Sequence, residues 1–305
     1  MLPKGGTEIQ LGYLQKHVAP ELLAKVNLAL SIPERTPVVI DKTNILWVHN
    51  SYDQPNLAPW FQNKLNHMKY DWYVFNSHWT YEKYRMMFDI PTEASLVIKN
   101  GFDDLVIKTN FDPKPKIKMV YTSTPWRGLD VLLAAMEAVK NNKFIELDIY
   151  SSTEIYGSQF KEQNDKSFES LYEQARNTPN VNLKGYIEHS ELMKILHTYD
   201  VYIHPSTFEE TFCVAAMEAL AAGLIVVTTD LGALPETCAE FPVYVPFMKD
   251  KKLLAQKFAY TINALPALVN SANPEALKFQ QDYYRNFYHW SVIKGYWERF
   301  LNGIK

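Results

Sequence analysis

Cysteine is nearly absent from this chain: Cys213 and Cys238 are the only two in 305 residues. They are too few for a disulfide framework, and no C-x-x-C or Cys/His cluster reads as a metal site. Scarce cysteine suits a reducing compartment, which points to the cytoplasm. Excess charge is missing too. The net charge is −3, so no global field gathers nucleic acid or an anionic membrane. No apolar run approaches the ~20 residues that a membrane-spanning helix needs. The opening MLPKGGTEIQ has no apolar core of a secretory leader. Internal repeats, low-complexity tracts and heptads are also lacking. At 47% apolar and 21% charged residues, the composition is that of a globular protein, and the length suits two domains.

Read in order, the chain alternates strands and helices, the pattern of a parallel α/β sheet. Gly5-Gly6 leads directly into an amphipathic helix, where an α/β domain usually places a strand first. Strands are predicted at Val26 to Ile32, Ile45 to His49, Trp72 to Asn76 and Ser95 to Lys99. Helical stretches are expected near Leu57 to Met68 and from Thr80 to Phe88, the second capped by Ser77 or Thr80. This half is rich in aromatic residues. Core packing accounts for most of them, while one or two would line a sugar site. Asn100-Gly101 reads as a turn, Asp103-Asp104 as a solvated end and Phe111 to Lys116 as a linker. Strands follow at Lys118 to Thr122, Glu146 to Ser151 and Val181 to Tyr186, with helices from Arg127 to about Lys140, over Asp165 to Asn177, and after a Ser190 cap. Beyond Pro246 the pattern is helical to the end.

The most informative stretch runs from His204 to Glu236. A β-type run, Val201 to Ile203, leads into a helix that is apolar nearly all round and stops at Gly223; a second β run, Ile225 to Thr229, follows. A helix without a polar face is buried, so Glu210 at its mouth and Glu218 inside it need a reason. If both were helical, eight residues would separate them by about 12 Å along the axis. That exceeds the roughly 5–9.5 Å of a glycosidase carboxyl pair and suits two ends of one elongated ligand. The alternative is structural, with Glu210 capping the helix and Glu218 pairing with a buried Arg or Lys. Open N–H groups of Phe212, Cys213 and Val214 at the helix mouth would favour an anion or sugar oxygens. Glu209 is a neighbour without the spacing; only Glu210 stands eight before Glu218.

The segment resembles the signature of retaining GT-B glycosyltransferases of family 4, the glycosyl transferases group 1. The matching residues are Pro205-Ser206, Glu210, Glu218, Gly223, Ile225 to Val227, Gly232 and Pro235-Glu236. Gly185-Tyr186-Ile187, Glu191-Leu192, Asp200, Asn100-Gly101 with Asp103, and Gly5-Gly6 agree in order. The likeness is dense from about 117 to 240 and thin before that. It departs at Thr122-Ser123, where the family carries Gly-Arg, and Arg127-Gly128 stands where Lys-Gly is expected.

The resemblance implies two Rossmann-like lobes facing across a cleft, the first of them reduced. Residues 1–112 would form the acceptor-side lobe, 113–286 the nucleotide-sugar lobe, and a last helix near 287–305 would return to the first. It implies a hexosyltransferase that moves a hexose from a nucleotide-diphosphate sugar to an acceptor hydroxyl with retention, needing neither metal nor cofactor. The implied catalytic residues are Glu210 at the donor sugar, His49 near it and Arg127 at the diphosphate. Glu218 would take the ribose hydroxyls. Phe212, Cys213, Val214, Gly5, Gly6, Ser123 and Tyr186 complete the donor-binding set. The acceptor would be a glycan, lipid or small molecule, with no nucleic acid, and a local patch leaves room for peripheral membrane contact. Two other readings stay open: a non-catalytic nucleotide-sugar or glycan-binding module, motivated by Thr122-Ser123, and a GT-B phosphorylase or epimerase.

Overall fold

The computed structural model describes residues 5–304. The chain divides into two compact units, each built on its own parallel sheet. The first comprises Gly6–Asp103, the returning segment Glu209–Val214 and the chain from Asn286 onward; the second comprises Asp104–Phe208 and Ala215–Arg285, with Gly5.

The first unit holds four strands, β1 (Val26–Leu30), β2 (Thr43–Val48), β3 (Trp72–Phe75) and β4 (Ser95–Val97), paired in that order and all parallel. From Asn44 on, β2 is buried on both faces, as a continuous apolar run in a covered parallel sheet should be. Side chains alternate between faces along a strand. Ile45 and Trp47 therefore join one core, with Leu14, Val18, Val74, Ile98 and the helix Trp290–Gly303. Leu46 and Val48 join the other, with Phe61, Tyr73, Phe75, Tyr84 and Phe88. The C-terminal helix presents Trp290, Ile293, Trp297 and Leu301 to the first core at three- and four-residue spacing, the period of a buried helical stripe.

Gln10, on the helix Gly6–His17, ties the end of this unit together. Its Nε2 donates to the Gly101 carbonyl (2.7 Å), and its Oε1 accepts from Gly101 N (3.0 Å) and Trp290 Nε1 (3.2 Å). Asp103 does not lie at a solvated end. It is buried and paired with Lys16 and with His17 (3.1 Å). Burial acts to raise its carboxyl, but the bonds from Lys16 and His17 outweigh it and hold the group below the usual range.

The second unit carries β5 (Ile117–Tyr121), β6 (Ile145–Ile149), β7 (Val181–Leu183), β8 (Val201–His204), β9 (Ile225–Thr229) and β10 (Val243–Val245), all parallel. Their order is β10-β9-β8-β5-β6-β7. The chain builds outward from β5 to β7, crosses back, and builds outward again from β8, which is the doubly wound order of a Rossmann-type sheet. Its reversal lies between β5 and β8, and the loops that follow those strands form the crevice where such sheets take ligands. The proline-bearing segment 111–116 is pinned within this unit. Lys114 N donates to Asn270 Oδ1 (2.7 Å) and Lys114 Nζ to Asp200 (2.6 Å).

Several boundaries differ from the sequence reading. The stretch Leu57 to Met68 is broken by Asn63 in an extended conformation, giving the helix Ala58–Gln62 and a 3₁₀ segment Lys64–Lys69. Ser190 is not a cap; the helix His189–Ile195 begins one residue earlier, with Glu188 in the cap position. The helix expected from Arg127 begins at Leu129, because Gly128 occupies the cap position with φ +96°. A side chain cannot replace that glycine, since a Cβ there would lie 1.9 Å from the Pro205 carbonyl oxygen. Gly128→Ala is expected to lower stability by about 2 kcal/mol or more. Urea unfolding measures it, and an unchanged midpoint would contradict the close approach.

Candidate functional site

In the second unit the reversal point brings together the turn after β5 and the loop after β8. Gly128 lies against Pro205, and the Arg127 guanidinium sits over the Phe208 ring, 4.6 Å from its centroid. Such stacking holds a planar cation by its face, apart from the N–H fork at its edge. Arg127 lies ahead of the helix, not in its first turn. Ser123 and Tyr186 are half-buried. Tyr186 Oη donates to Glu188 Oε1 (3.0 Å), and burial, helped by that carboxylate, pushes its hydroxyl up to about 12.

Glu218 lies within the helix Val214–Ala222, on which seven of nine residues are buried. Its own side chain is 4% exposed. It pairs with His189, whose Nε2 lies 2.7 Å from Glu218 Oε1. The sequence reading missed this partner, looking instead for a buried Arg or Lys. Burial is the largest influence on His189 and would depress it. The charge of Glu218 and the bond to it together prevail, so His189 keeps its proton above the ordinary histidine range.

The first unit holds the other glutamate. Glu210 is 2% exposed and lies four residues before the helix begins. Only Glu218 is helical, so the condition behind the ~12 Å spacing is not met. The physical reason is Thr211. Its Oγ1 donates to the His49 carbonyl (2.8 Å) and accepts from Asn76 Nδ2 (3.3 Å). Its carbonyl oxygen accepts from Ser77 Oγ (2.6 Å) and Thr80 Oγ1 (3.1 Å). These bonds hold residues 209–213 at the carboxyl ends of β2 and β3 in place of a helical turn. Val214 N donates to the Phe212 carbonyl (3.1 Å), so it is not the open donor expected. Phe212 and Cys213 are buried, and Phe212 packs against Tyr288 with centroids 6.1 Å apart.

His49 stands at the end of β2, its Nε2 3.1 Å from Asn100 Oδ1 and its ring 4.5 Å from that of Trp47. Burial, only partly offset by hydrogen bonds to Asn100 and the Trp47 backbone, lowers it to about 4. A histidine so placed is neutral at pH 7 and serves as a hydrogen-bonding group, not a cation. Gly6 opens the first helix, where a Cβ would meet nothing within 4 Å, so no steric demand requires glycine there. Gly5 belongs to the second unit.

The two histidines should titrate in opposite senses. The unfolded chain protonates near 6.5, so His49, lowered to about 4, costs stability as pH falls from about 6.5 to 4. The full loss is on the order of 3 kcal/mol. His189 is raised, so its contribution is present below pH 6.5 and fades as pH rises through its folded value. Imidazole NMR titration checks this: His49 is expected to titrate near 4 and His189 above 6.5. The reverse order would contradict both environments.

A family model described as glycosyl transferases group 1 matches residues 102–264, more than half of the chain. One subunit of the phosphatidylinositol N-acetylglucosaminyltransferase of Arabidopsis thaliana is 26% identical over 113 residues, which is 37% of this chain and 23% of that protein. The match thus spans less than a quarter of that relative's length. Among solved structures, a glycosyltransferase from Rickettsia africae is 16% identical with a TM-score of 0.64, over 97% of this chain and 82% of that one. The pneumococcal O-GlcNAc transferase GtfA, in complex with UDP and GlcNAc, is 19% identical with a TM-score of 0.65, over 97% and 59%. At these identities the likeness to the solved structures is one of fold.

Proposed function

Because the chain belongs to the glycosyl transferases group 1 and has the GT-B fold of its solved relatives, we propose that it is a retaining, metal-independent hexosyltransferase using a nucleoside diphosphate sugar. The reading rests on one observation above others. Glu210 and Glu218 are both buried carboxylates, and both fall within the family-matched residues. Burying a carboxylate is costly unless a partner offsets the lost hydration. Glu218 has His189 on one oxygen; its other oxygen suits a ribose hydroxyl as hydrogen-bond donor. Glu210 contacts the donor sugar, and His49 at the end of β2, neutral at working pH, can bond hydroxyls without adding charge.

In the proposed reaction the bond from the sugar's anomeric carbon to the diphosphate oxygen breaks. A bond to the acceptor oxygen forms on the same face, and the acceptor proton leaves with the departing phosphate. Arg127, held by Phe208 at the reversal point, stabilises the charge that develops on the diphosphate. The UDP and GlcNAc in the solved GtfA complex support a uridine diphosphate hexosamine as the first donor to try.

A second reading, a sugar-nucleotide binding module without turnover, is motivated by Thr122-Ser123 at the place of the family's Gly-Arg. Calorimetry and turnover assays on two variants test the assignment. Glu218→Ala is expected to weaken binding of UDP, GDP or ADP, whichever the wild type prefers, by roughly tenfold or more. Glu210→Ala is expected to keep that affinity and lower turnover by about 100-fold. Unchanged nucleotide affinity in Glu218→Ala would sink the ribose role, and nucleotide binding without turnover in the wild type would favour the module.

A further inference from the structure

The cluster Tyr52, Trp79, Lys83 and Glu209 in the first unit stands apart from the residues proposed for the donor. Tyr52 follows β2 by four residues, and Trp79 is the second residue of the helix His78–Phe88 that opens behind β3. Both thus lie at the carboxyl ends of parallel strands, where open α/β sheets take their ligands. Glu209 directly precedes Glu210 on the segment that Thr211 ties to the same strand ends.

The two rings stand edge to face with centroids 6.2 Å apart. Lys83 Nζ lies 5.4 Å from the Tyr52 centroid and 5.2 Å from that of Trp79. Tyr52 Oη donates to Glu209 Oε2 (3.3 Å). Lys83 is half-buried. Among the described residues it makes no hydrogen bond and no ion pair, so two ring faces hold an ammonium whose three N–H donors are open.

The chemistry of the cluster narrows the ligand. An acyl chain on the rings would leave Lys83 and Glu209 desolvated and unmatched. A phosphate would suit Lys83 but meet the Glu209 carboxylate. A pyranose satisfies every member. Its C–H face lies against the electron-rich ring faces, its hydroxyl oxygens accept from Lys83, and its hydroxyl protons are taken by Glu209. We propose that Tyr52, Trp79, Lys83 and Glu209 form an acceptor subsite that takes a saccharide ring. This rests on the glycosyltransfer reading above and names the acceptor class that reading leaves open.

Saturation-transfer NMR tests it, with the methyl glycosides of glucose, galactose, mannose and N-acetylglucosamine as probes. Inorganic phosphate and octyl phosphate serve as competitors. The wild type is expected to transfer saturation to pyranose ring protons of at least one glycoside. Trp79→Ala and Lys83→Met are expected to lose roughly fivefold or more of that affinity. Both variants should unfold within about 2 °C of the wild type and keep its nucleoside diphosphate affinity. Absence of transfer to every glycoside, equal transfer in the variants, or displacement by either phosphate overturns the subsite. If glycosides bind as expected but no nucleotide does, the subsite stands and the transferase reading falls. If nucleotides bind and glycosides do not, only the subsite falls.

Discussion

Thr211 bonds through both its hydroxyl and its carbonyl to the ends of two strands, reaching His49, Asn76, Ser77 and Thr80. Each such bond adds only about 1 kcal/mol net, but leaving these buried groups unmatched would cost more. The consequence is topological. A five-residue segment that local sequence would extend as a helix is held as a loop within the first unit. Glu210 is thereby fixed at the end of β2 and buried without being helical. Its neighbour Glu209 is brought to Tyr52, and from there to Trp79 and Lys83.

The second unit follows a different logic. Its doubly wound sheet reverses between β5 and β8, so residues with little in common in sequence, Arg127, Gly128, Pro205 and Phe208, meet at one place. Glycine at 128 is demanded by backbone contact. Arginine at 127 is kept in position by an aromatic face. Glu218, inside an otherwise apolar helix, is compensated by His189 from the helix behind β7. Its burial is offset by the bond to that imidazole, whose proton the carboxylate in turn holds above the ordinary histidine range.

Much of this was legible in the residues. The strands β8 and β9 are short apolar runs on either side of a small-residue helix that stops at Gly223, and such runs announce buried parallel strands. Glu210 and Glu218 stood out as charges in apolar surroundings. What was not legible depends on partners distant in sequence. His189 meets Glu218 across 29 positions and Thr211 meets His49 across 162. No local pattern marks either, and a threonine that abolishes a helical turn looks like any other. The strand β10, three residues between Pro242 and Pro246, was too short to stand out. Ser190 was read as a cap because serine favours that role, yet the helix begins before it. Asp103 was read as solvated because nothing nearby in sequence shows Lys16 and His17 beside it.

The central claim is that this chain transfers a sugar from a nucleotide donor with retention and without metal. The most direct measurement follows UDP-, GDP- and ADP-sugars with the protein and a glycoside mixture by ¹H and ³¹P NMR, in chelator and without inorganic phosphate. The expected result is release of nucleoside diphosphate together with a glycoside product whose anomeric coupling matches that of the donor. Inverted product, a requirement for added divalent metal or phosphate, or donor left intact at saturating protein would contradict it.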